Sequence, residues 1–350
     1  MAKARIAING FGRIGRLFFR QAFGHKGLDV VAVNDLGDIE NLAYLLKYDS
    51  VYRQFPAEIR RLTRTERGLT RNYLVVDNKE ILVLQEKDPA KLPWKDMKVD
   101  VAVESTGAFE SFEKASVHVT AAGAKRVVIS APAKDEEGVS GGRTILLGVN
   151  EEDFKTCKVS SNGSCTTNAT HPVVAVLMEN PGIQKAVLAS VHGYTATQNL
   201  VDGPTKGRDF RRGRAGAANI SPSFTGAAIA VTRPLKELAG KFDGLAYRVP
   251  IITGSLGDIT FVAKRKTSPE EINDILEKAA ESPRWKGILK VTRDQVVSSD
   301  IIGESAAAIV DLQYTKVIDG DLVKVLSWYD NEWGYVTTLV KHVLKTSESL

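Results

Sequence analysis

The chain has 350 residues, 43% hydrophobic and 25% charged, a composition typical of soluble globular proteins. It carries 47 lysines and arginines against 42 aspartates and glutamates, a mild net charge of +5, and no apolar run of membrane-spanning length. Its two cysteines exclude a disulfide framework, and its five scattered histidines give no zinc-ligand spacing, so we expect no metal. The length predicts two domains, and the absence of a signal-peptide pattern leads us to expect a cytoplasmic protein.

The first predicted elements are a strand, a glycine turn and a helix. Residues 4–9 have the pattern of a buried strand, and RLFFRQAF has the apolar spacing of a helix. Between them, Gly10, Gly12 and Gly15 form G-x-G-x-x-G, the fingerprint of dinucleotide binding. Gly10 allows the tight turn, Gly12 leaves room for the pyrophosphate, and Gly15 lets the helix pack close to the strand.

The next predicted strand, residues 28–35, ends in Asp35. A carboxylate at this spacing can accept hydrogen bonds from the ribose hydroxyls of the adenosine, and it would repel the 2′-phosphate of NADP. The alternative, a glycine turn that binds no ligand, is less consistent with this complete strand–turn–helix–strand unit.

Further alternation of strands and helices follows. A hairpin over 74–85 turns near Asp77-Asn78, a strand over 99–107 ends in Ser105, Thr106 and Gly107, and a helix is predicted over 111–122. A strand over 125–132 contains Ser130. Strand ends with small polar residues are where an open parallel sheet binds its ligand, although ordinary turn chemistry also explains these residues.

After residue 150 the pattern changes to longer strands. The predicted elements are a helix over 167–178, a strand from 184 to His192, a long loop over 193–219, a strand over 256–266, a helix capped by Ser268, a strand pair over 307–317 and 321–330, and a final helix. We therefore predict an α/β chain with two domains: an N-terminal Rossmann dinucleotide-binding domain over 1–150, and a C-terminal α+β catalytic domain with a mostly antiparallel sheet over 151–331. The helix over 332–350 is predicted to pack back on the first domain.

Cys165 lies in SSNGSCTTNATHP, among small hydroxyl and amide residues and just before the predicted helix. A helix N-terminus and a nearby imidazole would lower the pKa of the thiol and make it a nucleophile. The alternative is a buried, inert cysteine, which is how we interpret Cys157. Basic stretches at 53–71 and 206–214 permit binding of phosphate-bearing molecules or nucleic acid, but no nucleic-acid motif accompanies them.

Several stretches together resemble the phosphorylating glyceraldehyde-3-phosphate dehydrogenase family. The most specific are SCTTN (164–168), VHGYTATQ (191–198) and WYDNEWGY (328–335). They are supported by INGFGRIGR (8–16), VNDL (33–36), LLKYDS (45–50), ESTG (104–107), FTGAA (224–228) and YRVP (247–250).

The resemblance implies a homotetramer that uses NAD to oxidise glyceraldehyde 3-phosphate in glycolysis, with inorganic phosphate as second substrate. It implies Cys165 as the nucleophile and His192 as the general base, with His171 structural. The substrate phosphate would be bound by Thr195, Thr197 and Arg248, the inorganic phosphate by Ser164, Thr166, Thr225 and Gly226, with Arg211 between them. Arg212 and Arg214 are nearby candidates for the role of Arg211.

For the cofactor, the resemblance implies that Asn331 binds the nicotinamide carboxamide. The further cofactor residues by motif are Asn9, Gly10, Phe11, Gly12, Arg13, Ile14, Gly15, Asp35, Lys87, Ser105, Thr106, Gly107, Ser130 and Tyr335. Two departures stand out. The stretch IITGSLGDI (251–259) replaces the usual TPNVSVVDL and is expected to alter sheet contacts rather than chemistry. Lys87 replaces the family's usual arginine, which stacks better on adenine.

Three alternatives stay open. An erythrose-4-phosphate dehydrogenase would share the cysteine but hydrolyse the thioester. Reductases of acyl phosphates are more distant, and a basic nucleic-acid-binding protein belongs to a different class. The intact SCTTN and TGAA motifs favour an enzyme that uses phosphate.

Overall fold

A computed structural model describes residues 3–66, 68–205 and 207–350; Lys206, the first residue of one basic stretch, lies outside them. The chain forms two compact units. The first contains residues up to 145, 152–162 and 339–350, and the second contains 146–151 and 163–338. In the described part of the chain, no helix combines the length and apolar character needed to cross a membrane.

The first unit is built on a nine-stranded sheet, counted over the described residues, with the order β3-β4-β5-β2-β1-β6-β7-β9-β8. Its strands are β1 Ala4–Asn9, β2 Leu28–Asn34, β3 Ile59–Glu66, β4 Leu69–Val76, β5 Lys79–Leu84, β6 Val101–Glu104, β7 Arg126–Ile129, β8 Arg143–Thr144 and β9 Val159–Ser161. Its first four helices are α1 Arg13–Ala22, α2 Ile39–Lys47, α3 Phe112–Ala115 and α4 Val117–Thr120.

The strands from β5 through β2, β1, β6 and β7 to β9 pair in parallel. Their apolar side chains are buried on both faces, as parallel sheets require. The hairpin of β4 and β5 turns at Asp77, which has a φ of 52° as the turn demands. The Rossmann architecture and this hairpin are thus confirmed.

One predicted element is divided in the structure. The helix expected over 111–122 is two short helices, α3 and α4, which meet at Ser116. Ser111 caps the first by accepting a hydrogen bond from Lys114 N. The apolar spacing alone did not indicate the break.

The second unit has a seven-stranded sheet, again counted over described residues, in the order β11-β12-β10-β13-β16-β15-β14. Its strands are β10 Ile183–Gly193, β11 Ser221–Phe224, β12 Phe242–Val249, β13 Ser255–Ala263, β14 Leu289–Thr292, β15 Ala308–Ile318 and β16 Leu322–Tyr329. Its helices are α5 Cys165–Glu179, α6 Ala227–Thr232 and α7 Pro269–Glu281.

This second sheet is mostly antiparallel, as predicted: parallel pairing joins only β10 to β12 and β14 to β15 among the named strands of the described residues. The alternating burial along β13 matches its alternating sequence. Ser268 caps α7 by accepting a hydrogen bond from Glu271 N at 3.2 Å, also as predicted. Helix α5 packs against β13, β15 and β16.

The two units divide the chain differently from the boundaries expected from the sequence. Residues 152–162 belong to the first unit because β9 pairs in parallel with β7. The last helix, α8 Trp333–Glu348, contributes its part from Leu339 onward to the first unit. The assignment of domains by function, with a dinucleotide domain over 1–150 and a catalytic domain over 151–331, stays a prediction.

His342 fixes α8 within the first unit. The ring is fully buried; its Nε2 lies 2.8 Å from Ser160 Oγ and its Nδ1 lies 3.1 Å from Asn162 Oδ1. Nδ1 therefore donates to the amide oxygen, and Nε2 accepts from the serine hydroxyl, so the neutral ring is fully bonded. Burial lowers the pKa of His342 to about 3.

We expect this histidine to destabilise the fold in mild acid. Its pKa is near 6.5 when unfolded and about 3 when folded, so the unfolded chain binds the extra proton as the pH falls below 6.5. The contribution of His342 to the free energy of unfolding is therefore complete above pH 6.5. It falls by about 2 kcal/mol when the pH is lowered to 5. Urea unfolding at both pH values would measure it, with His342→Gln as the control that cannot protonate. Equal pH dependence in the two proteins would contradict this assignment.

Candidate active site

The glycine turn between β1 and α1 has the shape that the sequence predicts. Gly10 has a φ of 92°, and a Cβ there would lie 2.6 Å from the Ser105 carbonyl carbon and from Thr106 N. A Cβ on Gly15 would lie 2.0 Å from Gly10 O. A Cβ on Gly12, in contrast, would meet no atom within 4 Å. The turn is therefore closed at its first and third glycines and open at the second, directly before α1.

A cavity of about 460 Å³ lies over this open position. Its lining, all from the first unit, contains Asn9, Gly10, Gly12, Asn34, Asp35, Leu36, Glu86, Lys87, Pro89, Ser105, Thr106, Ala108 and Phe109. The ends of four neighbouring strands, β5, β2, β1 and β6, thus meet at one edge of the sheet. An anion at this edge would find backbone N–H groups at the start of α1, so the residues fit a dinucleotide.

Asp35 is held rigidly at this cavity. Its Oδ2 accepts from Phe11 N at 2.7 Å and its Oδ1 from Gly37 N at 2.8 Å. Each carboxylate oxygen keeps a further lone pair, so both can also accept from a ribose hydroxyl.

Other predicted cofactor residues have internal contacts and do not line the cavity. The Phe11 ring packs edge-on against Phe19 in the core, and Arg13 pairs with Asp49. Gly15 closes the turn. Ile14, Gly107 and Ser130 likewise lie outside the lining. Ser105, which does line it, donates its hydroxyl to Gly10 O at 2.7 Å and so ties β6 to the glycine turn.

In the second unit, α5 and β10 bring Cys165 and His192 together. Cys165 Sγ lies 3.2 Å from His192 Nε2. Ser164 is the N-cap of α5 and accepts from Thr167 N at 3.0 Å, so the helix begins at Cys165 itself rather than after it. His192 is buried at the end of β10, whereas Cys165 is only half-buried.

The electrostatics of this pair differ from the sequence expectation. Burial raises the pKa of Cys165, although Arg248 and hydrogen bonds from Thr166 act to lower it. Burial, followed by the charge of Arg248, lowers the pKa of His192 to about 3. The expected lowering of the thiol pKa is therefore outweighed by the effect of burial.

His192 Nδ1 has two neighbours with opposite requirements. Gly193 O, at 2.7 Å, needs an N–H on this nitrogen, whereas Arg248 Nη1, at 2.6 Å, needs its lone pair. Arg248 Nη1 also lies 3.2 Å from Gly193 O. Only the tautomer that donates from Nδ1 to Gly193 O leaves Nε2 free to accept the proton of Cys165.

Arg212, not Arg211, reaches the threonines of the HGYTATQ motif. Arg212 donates to Thr197 Oγ1 at 2.9 Å, and the Thr197 hydroxyl lies 2.9 Å from that of Thr195. Arg211 is turned to Asp209, at 2.7 Å. The assignment of Arg211 to the space between the two anion sites stays a prediction; of Arg211, Arg212 and Arg214, it is Arg212 that contacts Thr197. Arg214, the other candidate, pairs with Asp202.

The hydroxyls assigned to inorganic phosphate are already engaged in local contacts. Ser164 Oγ lies 2.8 Å from Thr167 Oγ1, and Thr225 Oγ1 accepts from Ala227 N at 3.2 Å. Gly226, the N-cap of α6, has open space where a side chain would stand. These three residues keep their assignment as a prediction.

Thr166 belongs to a buried hydroxyl cluster around Tyr329. The Tyr329 hydroxyl lies 3.0 Å from Thr166 Oγ1 and 2.8 Å from Ser190 Oγ, and its ring meets that of His192 edge-on. Burial raises the pKa of Tyr329, which keeps the phenol protonated. Tyr329 therefore braces both α5 and β10 next to the reactive pair.

Asn331 has a fixed amide orientation. Its Oδ1 accepts from Thr253 Oγ1 at 3.1 Å and from Ser255 Oγ at 2.7 Å, which leaves the amino group as donor. Ser255 Oγ also accepts from Gly193 N at 3.2 Å. Tyr335 is buried and donates to Gly163 O at 3.0 Å, an internal contact rather than an open one.

Sequence reasoning missed several of these residues. Thr253 and Ser255 lie within the departing stretch IITGSLGDI, which therefore contacts a predicted site residue and not only the sheet. Tyr329 was available as a signal, because it stands inside WYDNEWGY. Nothing in the sequence pattern distinguished Arg212 from its neighbour.

Cys157 and His171 are internal, as predicted. Cys157 is buried, which raises the pKa of its thiol to about 11. His171 is fully buried between Thr167 O and Leu147 O, and burial lowers its pKa to about 4. Within the described residues, no group of three or more histidines, cysteines or carboxylates could hold a metal ion.

Comparison with known proteins agrees with this arrangement of motifs. Residues 4–112 match the NAD-binding domain of glyceraldehyde 3-phosphate dehydrogenase, and residues 164–331 match its C-terminal domain. The cofactor is therefore NAD.

Similar full-length relatives carry the same description. A glyceraldehyde-3-phosphate dehydrogenase of Thermotoga maritima is 48% identical over 340 residues, which cover 96% of this chain and 97% of the relative. Those of Streptomyces coelicolor and Borreliella burgdorferi are each 46% identical, over 96% of this chain and 96% and 97% of the relatives. The chain belongs to the glyceraldehyde-3-phosphate dehydrogenase family and is an NAD-dependent oxidoreductase of glycolysis that acts on an aldehyde group.

Proposed function

We propose that the chain converts glyceraldehyde 3-phosphate to 1,3-bisphosphoglycerate by oxidative phosphorylation, through a thioester on Cys165. The observation that carries this proposal is the 3.2 Å distance between Cys165 Sγ and His192 Nε2 at the first residue of α5. A thiol at that distance from an imidazole lone pair can transfer its proton as it attacks a carbonyl carbon.

The proposed chemistry has three steps. Cys165 Sγ bonds to the aldehyde carbon, and the thiol proton moves by way of His192 to the carbonyl oxygen, which gives a hemithioacetal. Bound NAD supplies the hydride acceptor. As the carbon loses hydride, the hydroxyl loses its proton to His192 Nε2, and a thioester remains on Cys165. A phosphate oxygen then attacks the thioester carbon, the C–S bond breaks, the departing sulfur takes the proton from His192 Nε2, and the acyl phosphate leaves.

The substrate phosphate is proposed to bind between Arg248, Arg212 and the hydroxyls of Thr195 and Thr197. Guanidinium groups and hydroxyls are suitable donors for a phosphate dianion. Binding would also draw Arg248 away from His192 Nδ1, at present 2.6 Å distant, and favour donation from Nδ1 to Gly193 O. The substrate would thus help to select the tautomer in which His192 acts as a base.

The test of this function is a comparison of NADH production from glyceraldehyde 3-phosphate with and without inorganic phosphate. We expect rapid, sustained formation only when phosphate is present, because phosphate is needed to release the thioester. Equal rates in both conditions would indicate hydrolysis of the thioester, the behaviour of an erythrose-4-phosphate dehydrogenase, and would overturn the phosphorylating assignment.

We expect NAD to be preferred to NADP by about fivefold or more, since a like charge near Asp35 costs at least about 1 kcal/mol. Asp35 lines the cavity, and both oxygens of its carboxylate accept from backbone N–H groups. Catalytic efficiencies with both cofactors would measure the ratio. Asp35→Asn should reduce the preference for NAD, whereas Asp38→Asn, at the exposed cap of α2, should leave it unchanged. Equal use of the two cofactors by the unmodified enzyme would contradict this prediction.

We further propose a homotetramer in the cytoplasm. The second unit exposes apolar side chains on its sheet, Val187 at 52% and Phe224 at 80% exposure, and on helix α6, Ile229 at 55%; these suit contact with another copy. Two free cysteines suit a reducing compartment. Light scattering at working concentration would test the assembly, and an active monomer would refute it.

A further inference from the structure

A set of buried polar side chains lies beneath the NAD cavity of the first unit. Asn9, Asn34, Glu104 and His118, which we call the buried relay, are each at most 5% exposed. Asn9 and Asn34 reach the cavity lining, whereas Glu104 and His118 do not. The glycine fingerprint does not predict that these four side chains are buried together.

Trp94 fixes the state of the His118 ring. The indole nitrogen can only donate, and it donates to His118 Nδ1 at 3.1 Å. Nδ1 is therefore an acceptor, and the ring proton is on Nε2, which donates to Glu104 Oε2 at 3.0 Å. His118 is thus held in one neutral tautomer by a tryptophan on one side and a carboxylate on the other.

Glu104 is the acceptor on which the relay converges. Besides His118, its carboxylate accepts from Asn9 Nδ2 at 2.6 Å, from Thr106 N at 2.8 Å and from the Thr106 hydroxyl. Its described contacts include no lysine or arginine. A buried carboxylate without a cationic partner depends on all of these donors, so removing one of them affects the others.

The relay continues from Asn9 to the far side of the cavity. Asn9 Oδ1 accepts from Asn34 Nδ2 at 2.7 Å, and Asn34 Oδ1 accepts from Glu86 N at 2.9 Å. The hydrogen bonds therefore join the ends of β6, β1 and β2 to Glu86, the second residue after β5. The residues that line the cavity, from Thr106 on one side to Lys87 on the other, lie at these four strand ends.

We propose that His118 is a positioning residue of the NAD site. Its Nε2–H orients the Glu104 carboxylate, which in turn fixes Thr106 on one strand end and Asn9 on the next. The ring also meets Phe109, which lines the cavity, edge-on at 6.4 Å. The inference rests on the NAD site of the proposed function, but it concerns binding of the cofactor and not the chemistry at Cys165.

The test uses two substitutions of His118 and one control. His118→Leu keeps the volume but removes the donor to Glu104 and the acceptor of Trp94. His118→Gln restores both, because its amide oxygen can accept from Trp94 while its amide nitrogen donates to Glu104. Phe112→Leu is the packing control, since Phe112 is a fully buried residue of the same core and of the adjoining helix α3.

NAD binding to each full-length protein is measured by calorimetry without aldehyde. We expect His118→Leu to raise the Kd for NAD roughly tenfold, because it leaves buried partners unpaired at the cavity edge. The kcat at saturating NAD should change less than twofold, and His118→Gln should bind NAD nearly as the unmodified enzyme does. Phe112→Leu should lower Tm without this change in Kd.

The proposal would be overturned by an unchanged Kd in folded His118→Leu, or by an equal rise in Kd for Phe112→Leu at a matched loss of Tm. If His118→Leu does not fold, Trp94→Phe decides in its place. Trp94→Phe frees the ring tautomer and should raise the Kd; failure to do so would also overturn it. Unmodified enzyme that binds NAD but oxidises no aldehyde would refute the proposed function alone.

Discussion

Replacing Cys165 by serine is expected to lower kcat for aldehyde oxidation by about 10⁴-fold or more, as loss of a covalent nucleophile does in other enzymes. A hydroxyl in the same place is far less ionised than a thiol, and His192 alone cannot form the thioester. NAD binding should survive, because the described contacts of Cys165 all lie in the second unit. Steady-state NADH formation and NAD calorimetry on the same protein would measure both effects.

Cys157→Ser is the matched control for this substitution. Its thiol is buried and has a pKa raised to about 11, so most activity should remain. Brief treatment with iodoacetamide followed by mass spectrometry would identify the reactive sulfur. A label on Cys157 in enzyme that is still fully active would refute the assignment of Cys165 as the nucleophile.

Replacing His192 by asparagine is expected to leave a slow enzyme, with kcat reduced by about 10²–10⁴-fold, the usual cost of losing a general base. Because burial raises the pKa of Cys165, the thiol needs a base in contact with it. The loss should therefore be partly reversed at alkaline pH, where solvent removes more of the proton. A pH series of kcat would show this dependence.

His171→Asn provides the control for His192, since it removes a histidine from α5 without touching the reactive pair. It should lower Tm, because the buried neutral ring donates its one N–H to one of the two backbone carbonyls beside it, while activity per folded molecule stays within about threefold, as for a substitution outside the active site. A larger loss of kcat in His171→Asn than in His192→Asn would exchange the roles of the two histidines.

The glycine turn was predictable because its determinants are local. Gly10, Gly12 and Gly15 each answer a steric requirement within one strand–turn–helix unit, and the close contacts that a Cβ would make at Gly10 and Gly15 agree with those requirements. The cap of α7 was equally local, since Ser268 and Glu271 are three residues apart. Such features need no knowledge of distant parts of the chain.

The details of the site in the second unit could not be predicted, because they depend on contacts that sequence spacing does not determine. Arg211 and Arg212 are adjacent and chemically identical, and a short 3₁₀ turn over 210–213 decides which one faces Thr197. The lowered pKa expected for Cys165 rested on its helix start and on a nearby imidazole, whereas burial by the surrounding protein has the larger effect and raises the pKa. Burial is a property of the whole fold, so its effect on a thiol could not be derived from SCTTN.

The division of the chain into two units was difficult for the same reason. Residues 159–161 are too few to carry a strand pattern of their own, and they join the first unit only because β7 offers them a parallel partner. Asn9 was predicted as a cofactor residue, but its links to Asn34 and, through Glu104, to His118 were hidden, because these residues come from separate segments. Only the assembled sheet brings their side chains within hydrogen-bond distance.

The hydroxyl of Ser255 has a single hydrogen, and that hydrogen is committed to Asn331, so the N–H of Gly193 must use one of the oxygen lone pairs. The amide next to His192, the proposed base, is thereby bonded to a side chain rather than to a sheet partner. We expect its exchange with deuterated water, measured by mass spectrometry, to be slow while Ser255 holds this contact. Gly193 would thus report whether Ser255, which also donates to Asn331, stays in place at the end of the strand that carries His192.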